Sequence, residues 1–216
     1  MKKSVWILAL VGCLVLSLSA VTMASNVYVA GFGAGEWENN IIDKDDDLDL
    51  GFVLGGDYTF LDKFKVGLEY LSGTQEKADN GKDLDYDSYQ VGFGYRLVQK
   101  DQFNLDATLA YYNESYDDAA DTEIDGVILG VDLGYIFNDK FSLTGSLGFS
   151  VDGSIDASQT SYDGNDADIF IAKVQGNYHF TEEWSGFLGY RYLSSDVDHF
   201  DKITNQGLTL GAAYRF

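Results

Sequence analysis

Apolar residues alternate, one by one, with small or polar residues over long stretches of this chain. In the last stretch the apolar set is Leu208, Leu210, Ala212, Tyr214 and Phe216, separated by Thr, Gly, Ala and Arg. Alternation of this kind is typical of a β-strand, whose successive side chains point to opposite faces, and it excludes an amphipathic helix. The chain also contains no proline, which fits a sheet because proline cannot donate to a strand ladder.

This alternation recurs in ten segments, which we predict to be strands: 26–36, 48–60, 64–74, 87–98, 103–115, 125–137, 141–151, 168–180, 184–194 and 204–216. Short turns lie at 61–63, 98–102, 138–140 and 181–183, and longer acidic loops lie near 37–47, 75–86, 116–124, 152–167 and 195–203. Short turns on one side and long loops on the other are typical of a closed antiparallel up-and-down transmembrane β-barrel. An even number of strands places both chain ends on the short-turn side.

The residues before Ser25 predict a secretory signal peptide. Lys2 and Lys3 precede a nearly continuous apolar run, and small residues follow up to Ala24. A positive end, an apolar stretch and a small-residue cleavage site mark an exported protein. We therefore predict a cleaved signal peptide over residues 1–24 and a barrel domain over residues 25–216. The alternative is lipoprotein processing at Cys13, but the residues after Cys13 stay apolar.

The apolar face of the predicted strands carries two aromatic belts. Beyond Ser25 no stretch reaches the roughly 18 apolar residues of a membrane-spanning helix, so the chain can span a membrane only as a closed barrel.

Aromatic residues flank the short turns and the chain end: Phe60, Phe64, Tyr95, Phe103, Phe137, Phe141, Phe180, Trp184 and Phe216. Others recur near the long loops: Tyr70, Tyr89, Tyr111 and Tyr190. Such belts are expected where an apolar surface meets both membrane interfaces. The alternative, a soluble lipocalin-like barrel, puts the apolar face inside.

The alternating hairpins and the ending Leu208-Thr-Leu-Gly-Ala-Ala-Tyr-Arg-Phe216 resemble the outer-membrane β-barrel superfamily, in particular its small opacity-like and porin-like surface proteins. The resemblance covers residues 25–216 and implies the outer membrane of a Gram-negative bacterium. It also implies that the barrel-assembly machinery recognises the last strand. The residues of this assembly signal are Leu208, Leu210, Tyr214 and Phe216. Eight strands is the common size of small members, so a barrel of eight is the alternative to ten.

The face opposite the apolar one carries charges of both signs. The predicted lumen charges are Asp49, Asp57, Lys65, Glu69, Arg96, Asp106, Asp132, Lys173, Arg191 and Arg215. Positive and negative charges balance in this set, so we expect ion pairs that fill a polar lumen, because an unpaired buried charge is costly. The alternative is a narrow pore that passes ions or small solutes, with far less space than the roughly 16–18 strands of open porins enclose.

The formal net charge of −21 argues against a nucleic-acid partner, because phosphates attract basic proteins. Many of the acids gather in the predicted loops, for example at 43–47 and 163–168. We interpret these loops as a solvated outer surface, to which divalent cations or a basic partner would be attracted. No segment matches the spacing of a Ca²⁺-binding loop, and we predict neither a cofactor nor a metal site.

Catalysis is not predicted. The two histidines are His179, beside a short turn, and His199, in the last long loop. Neither lies in a pattern that places a nucleophile beside it. We therefore expect an integral outer-membrane barrel with a structural or surface-interaction role. A narrow pore is the alternative, and a hydrolase at the loop rim that uses His199 is a weaker one.

Overall fold

The computed structural model describes residues 25–33, 36–39, 44–47, 51–75, 84–117, 122–156, 165–197 and 202–216. The predicted signal peptide, Cys13, Asp49 and His199 lie outside these ranges, so what the sequence indicates for them stays a prediction. Within the described ranges, no helix is long and apolar enough to cross a membrane.

Twelve strands make up the described structure. They are β1 (Ser25–Gly33), β2 (Glu36–Asn39), β3 (Lys44–Asp47), β4 (Gly51–Phe60), β5 (Phe64–Gln75), β6 (Leu84–Lys100), β7 (Phe103–Asp117), β8 (Thr122–Asn138), β9 (Phe141–Asp156), β10 (Asn165–His179), β11 (Trp184–Val197) and β12 (Lys202–Arg215). All except β2 and β3 correspond to the predicted segments.

The ten long strands close into a barrel. β1 and β4 to β12 form an antiparallel sheet in which each strand pairs with its neighbour along the chain. The sheet closes because β1 also pairs with β12, from Asn26 opposite Arg215 to Gly33 opposite Leu208. The structure thus confirms the closed ten-stranded antiparallel barrel, and the alternative of eight strands is wrong.

The first predicted strand, 26–36, does not continue to residue 36. β1 ends at Gly33, and residues 36–39 form β2, which pairs with β3 and with the outer end of β12. In that outer end, Ile203 to Asn205 extend beyond the last partner in β1 and lie opposite Asn39 to Trp37 of β2. The short strand forms there because backbone groups of β12 that β1 cannot reach still need hydrogen-bond partners.

Several strands are longer than the alternation predicts, and β9 shows why. The prediction ends at residue 151, whereas β9 runs to Asp156. A bulge places Val151 between the pairs Val127–Asp152 and Ile128–Ser150. The extra residue shifts the phase of the strand by one, so Val151 and Asp152 are both exposed and Ile155 is buried. A strict alternation cannot continue through such a shift.

The apolar face lies outside the barrel. Leu188 and Leu210 lie in the middle of their strands and are 57% and 68% exposed. Aromatic rings form contacts around the short-turn end, for example Phe60–Phe64 at 5.5 Å and Trp184–Tyr214 at 4.9 Å between ring centroids. An exposed apolar band bounded by aromatic rings is the surface that lipid requires. The soluble lipocalin-like alternative is therefore wrong.

Candidate functional site: the lumen and its two ends

A carboxylate at the centre of the lumen binds two cations. Glu69 of β5 accepts hydrogen bonds from Lys173 of β10 and Arg191 of β11, each at 2.5 Å. It also accepts one from the hydroxyl of Tyr28 at 2.6 Å. Because β5 is far from β10 and β11 in the order of strands, these ion pairs connect different walls of the barrel across its lumen.

A second charged cluster lies nearer to the short turns. Lys65 forms ion pairs with Asp132 and, at 3.6 Å, with Asp106. Arg96 donates to both carboxylate oxygens of the buried Asp106, at 2.6 and 3.1 Å. Asp57 accepts a hydrogen bond from the amide of Asn26 at 2.5 Å.

The structure therefore brings eight of the ten predicted lumen charges into these two clusters. Within them each cation has a carboxylate partner, as buried charges require. Arg215 is exposed at the short-turn end and has no ion-pair partner among the described residues. Asp49 lies outside the part of the chain that the structure describes.

A layer of aromatic and polar side chains closes the outer half of the lumen, and the sequence did not reveal it. The carboxylate of Glu114 accepts hydrogen bonds from Tyr112 at 3.0 Å, Tyr116 at 3.2 Å and Ser195 at 2.6 Å. The hydroxyl of Tyr86 lies 3.3 Å from that of Tyr112. Tyr112, Glu114 and Ser195 are each fully buried. These five residues are called the sealing layer below.

Apolar side chains surround the sealing layer. Buried members of the same interior include Ile124, Ile155, Ile169, Leu193 and Val197. Paired charges therefore fill the half near the short turns, whereas the outer half combines buried polar side chains such as Glu114 and Ser195 with apolar ones. The interior tyrosines were not predicted, because Tyr111 and Tyr112 are adjacent in the sequence and face opposite sides of the barrel. Aromatic character therefore does not identify the lipid-facing side in this part of β7.

A cavity of about 740 Å³ lies between the sealing layer and the short turns. Both charged clusters line it, together with residues of two short turns, among them Gln102 and Glu183. At the end away from the short turns, the cavity is lined by Ile128, Ile171 and Arg191. No residue of the sealing layer is among the residues that line the cavity. Among the described residues, this cavity therefore opens at the short-turn end and does not extend to the sealing layer.

The outer rim of the barrel carries a belt of carboxylates. The members whose side chains the structure describes are Asp85, Asp87, Glu123, Asp125, Asp152, Asp156, Asp166, Asp168 and Asp196, and Lys202 lies in the same region. The outer aromatic belt donates to it: the hydroxyl of Tyr70 lies 2.6 Å from Asp87, and that of Tyr111 lies 3.1 Å from Asp125. Among the residues described, no three metal-ligating side chains form a cation site.

A polar row crosses four strands at the mouth of the cavity. It consists of Ser142 of β9, His179 of β10, Ser185 of β11 and Arg215 of β12, and all four line the cavity. Ser142 Oγ lies 2.9 Å from His179 Nε2, and Ser185 is opposite His179 in the register. The sequence did not reveal this contact, because Ser142 and His179 are far apart along the chain and only the pairing of β9 with β10 brings them together.

The residues of the predicted assembly signal lie along β12 and at the chain end. Leu208 and Leu210 are exposed on the lipid face. Tyr214 contacts Trp184, and Phe216 stacks on Tyr214 with 6.2 Å between ring centroids. Their recognition by the assembly machinery stays a prediction.

Comparison with known proteins gives a family match over the second half of the chain. The family described as outer membrane protein beta-barrel domain matches residues 98–216. A search of curated proteins found no match.

Solved structures provide fold neighbours. The outer membrane protease OmpT of Escherichia coli superposes with a TM-score of 0.57 at 9% identity, over 91% of this chain and 98% of its own. The attachment invasion locus protein Ail of Yersinia pestis has a TM-score of 0.43 at 15% identity, over 91% and 100%. Neisserial surface protein A has a TM-score of 0.42 at 13% identity, over 89% and 97%. The likeness to OmpT is one of fold alone.

Proposed function

Because the chain belongs to the outer-membrane β-barrel family, we propose that it is a surface-interaction barrel whose acidic outer rim contacts partners while its lumen stays closed to flow. The protein is an integral component of the bacterial outer membrane. The short turns and the cavity mouth then face the periplasm, and the acidic rim faces the outside.

The sealing layer is the observation that carries this proposal. A continuous pore needs water-filled space from one end to the other, whereas Tyr112, Glu114 and Ser195 are fully buried across the outer half of the lumen. Three hydrogen bonds to one carboxylate fix the layer in place. A buried polar network whose members are satisfied rigidifies its surroundings.

Single-channel recording of the protein purified from outer membranes tests the closed lumen. We expect folded barrels to insert into a planar bilayer without discrete conductance steps. A triple variant, Tyr112→Ala, Glu114→Ala and Tyr116→Ala, should produce steps because it removes most of the sealing layer. Tyr111→Ala, on the lipid face of the same strand, is the matched control and should stay silent. Reproducible steps from the unaltered protein would instead support the narrow pore.

The narrow pore is the second candidate function, and the cavity at the short-turn end favours it. The cavity of about 740 Å³ is lined by cations and carboxylates, so only the outer half separates it from the exterior. An ion path would require the sealing layer to move.

The acidic rim supports a basic partner at the cell surface. The nine rim carboxylates whose side chains the structure describes give the rim a strong negative potential, which steers cationic partners. Binding of a lysine-rich peptide to the purified protein should weaken steeply with added salt, because screening acts over about 10 Å at 0.1 M. Neutralising Asp85, Glu123, Asp156 and Asp166 to the amides should weaken it further. Unchanged binding in this variant would count against the rim, and competition by Ca²⁺ would point to divalent cations.

A rim-located hydrolase receives no support from the described residues. His199 lies outside them, and a fold shared with a protease at 9% identity does not transfer its activity. The proposed surface role needs no catalytic group.

A further inference from the structure

We propose that Ser142 and His179 form a nucleophile–base pair at the periplasmic mouth of the lumen, which hydrolyses small water-soluble esters that enter the cavity. This goes beyond the surface role, and it differs from the expectation that the chain has no catalytic site. It concerns the opposite end of the barrel from the acidic rim.

Geometry is the first support. Ser142 Oγ lies 2.9 Å from His179 Nε2, within the distance at which an imidazole takes the proton of a serine hydroxyl. Ser142 pairs with Asn177 in the register, so His179 is the diagonal neighbour of Ser142 on the lumen face. Diagonal neighbours in an antiparallel sheet are close enough for long side chains to meet.

Rigidity is the second support. Both residues belong to strands of the closed barrel rather than to a loop, and the backbone N–H of His179 donates to the carbonyl of Lys140 at 2.9 Å. A reacting pair must be held in place by its scaffold, and strands do this better than loops. The pair therefore does not depend on a rearrangement to form.

Access and charge are the third support. Both side chains line the cavity of about 740 Å³, a volume that is large enough for a small ester. The guanidinium of Arg215 lines the same space and is close enough to act electrostatically on His179. A cation there would stabilise negative charge that develops on the carbonyl oxygen.

The reaction needs water as its only co-reactant. Ser142 Oγ bonds to the carbonyl carbon while its proton passes to His179 Nε2. His179 then gives that proton to the leaving alkoxide as the ester C–O bond breaks, which leaves Ser142 acylated. Water attacks the acyl group and gives its proton to His179, and the acid is released as Ser142 Oγ takes the proton back.

Labelling with a tagged fluorophosphonate tests the pair in the protein purified from outer membranes. We expect one adduct, located on Ser142 by peptide mass spectrometry. His179→Ala should slow labelling by about 10²-fold or more, the usual contribution of a general base. Ser142→Ala should abolish it. Ser146→Ala is the matched control, because Ser146 lines the same cavity on the same strand but lies outside the polar row, and it should label as the unaltered protein does.

Heat-modifiable migration on a gel shows whether each variant is folded. A loss of labelling counts as evidence only for variants that pass this test. An unaltered protein that forms no adduct on Ser142 would overturn the proposal. So would a folded His179→Ala variant that labels at the original rate, because the histidine would then not act as a base. These outcomes leave the surface role of the rim untouched, since they concern the other end of the barrel.

Discussion

At the scale of single residues, the lumen depends on a few carboxylates that each serve several donors. Glu69 accepts from Lys173, Arg191 and Tyr28, and no other described carboxylate pairs with either of these two cations. Removing one partner of a buried ion pair leaves uncompensated charge, which is worse than never having buried the pair. The stability of the barrel should therefore be sensitive to Glu69 in particular.

Glu69→Gln should destabilise the barrel by about 3 kcal/mol, the low end for a broken buried pair because the cavity admits water to Lys173. The measurement is the free energy of unfolding in urea, followed by tryptophan fluorescence in lipid vesicles. Glu183→Gln at the cavity mouth is the control, with an expected change of less than about 0.5 kcal/mol. Equal losses in both variants would show that Glu69 does not hold the two cations together.

Gly55 is needed because the ring of Tyr28 lies against it. A Cβ at this position would overlap the Tyr28 ring and push it away from Glu69. Gly55→Ala should therefore cost about 1–3 kcal/mol, as overpacking does. Gly31→Ala is the matched control, because a Cβ there meets nothing within 4 Å. The temperature at which each variant loses its folded migration on a gel provides the comparison, and a Gly55→Ala barrel as heat-resistant as the control would contradict the steric argument.

At the scale of the strands, alternation predicted the ten barrel strands, and the aromatic belts predicted the lipid-facing side. It failed where a strand changes phase or gains a partner. Because of the bulge at Val151, the alternation did not predict residues 152–156 of β9. The sequence of β2 did not predict its pairing, because β2 forms where the outer end of β12 lacks a partner in β1. Long-range contacts such as Ser142–His179 and Ser195–Glu114 were missed because pairing across strands carries no local signal.

The lipid face of β9 gives a test of strand orientation. Leu147 is in the middle of the strand and half exposed, so Leu147→Arg should destabilise the barrel by about 2–4 kcal/mol, the cost of a cation at the bilayer midplane. Asp156→Arg at the outer rim should cost only about 0–1 kcal/mol, because the penalty falls toward the interface. Urea unfolding in vesicles measures both, and a mid-strand arginine that costs no more than the one at the rim would mean that Leu147 does not face lipid.

At the scale of the whole molecule, the two ends of the barrel have different chemistry. The end with the short turns opens into a cavity lined by paired charges and by the polar row, whereas the outer half holds the sealing layer and its described rim bears carboxylates. In the proposed function, the barrel presents a closed, charged surface to the exterior and an accessible interior to the periplasm. A surface-interaction role uses the first of these features, and ester hydrolysis would use the second.

The asymmetry predicts how thiols placed along the lumen will react. The only cysteine of the chain is Cys13, which the predicted cleavage removes, so single cysteines can be introduced at Ser146 in the cavity, Ser195 in the sealing layer and Asp156 at the rim. With a small hydrophilic maleimide and the purified protein, Ser146→Cys should react within about tenfold of the rate of Asp156→Cys, since water reaches both. Ser195→Cys should react at least about 100-fold more slowly, because the layer must open locally first.

A slow reaction of Ser195→Cys could come from a closed sealing layer or from a thiol of low intrinsic reactivity. Urea at concentrations below the unfolding midpoint distinguishes these two causes. Local opening exposes a buried site in proportion to the population of the open form, so the rate for Ser195→Cys should rise while the rate for Asp156→Cys stays nearly constant. If Ser195→Cys instead reacts as fast as Ser146→Cys without urea, water passes the sealing layer in the folded barrel. The lumen would then be continuous, and the narrow pore would replace the closed barrel as the function that the structure supports.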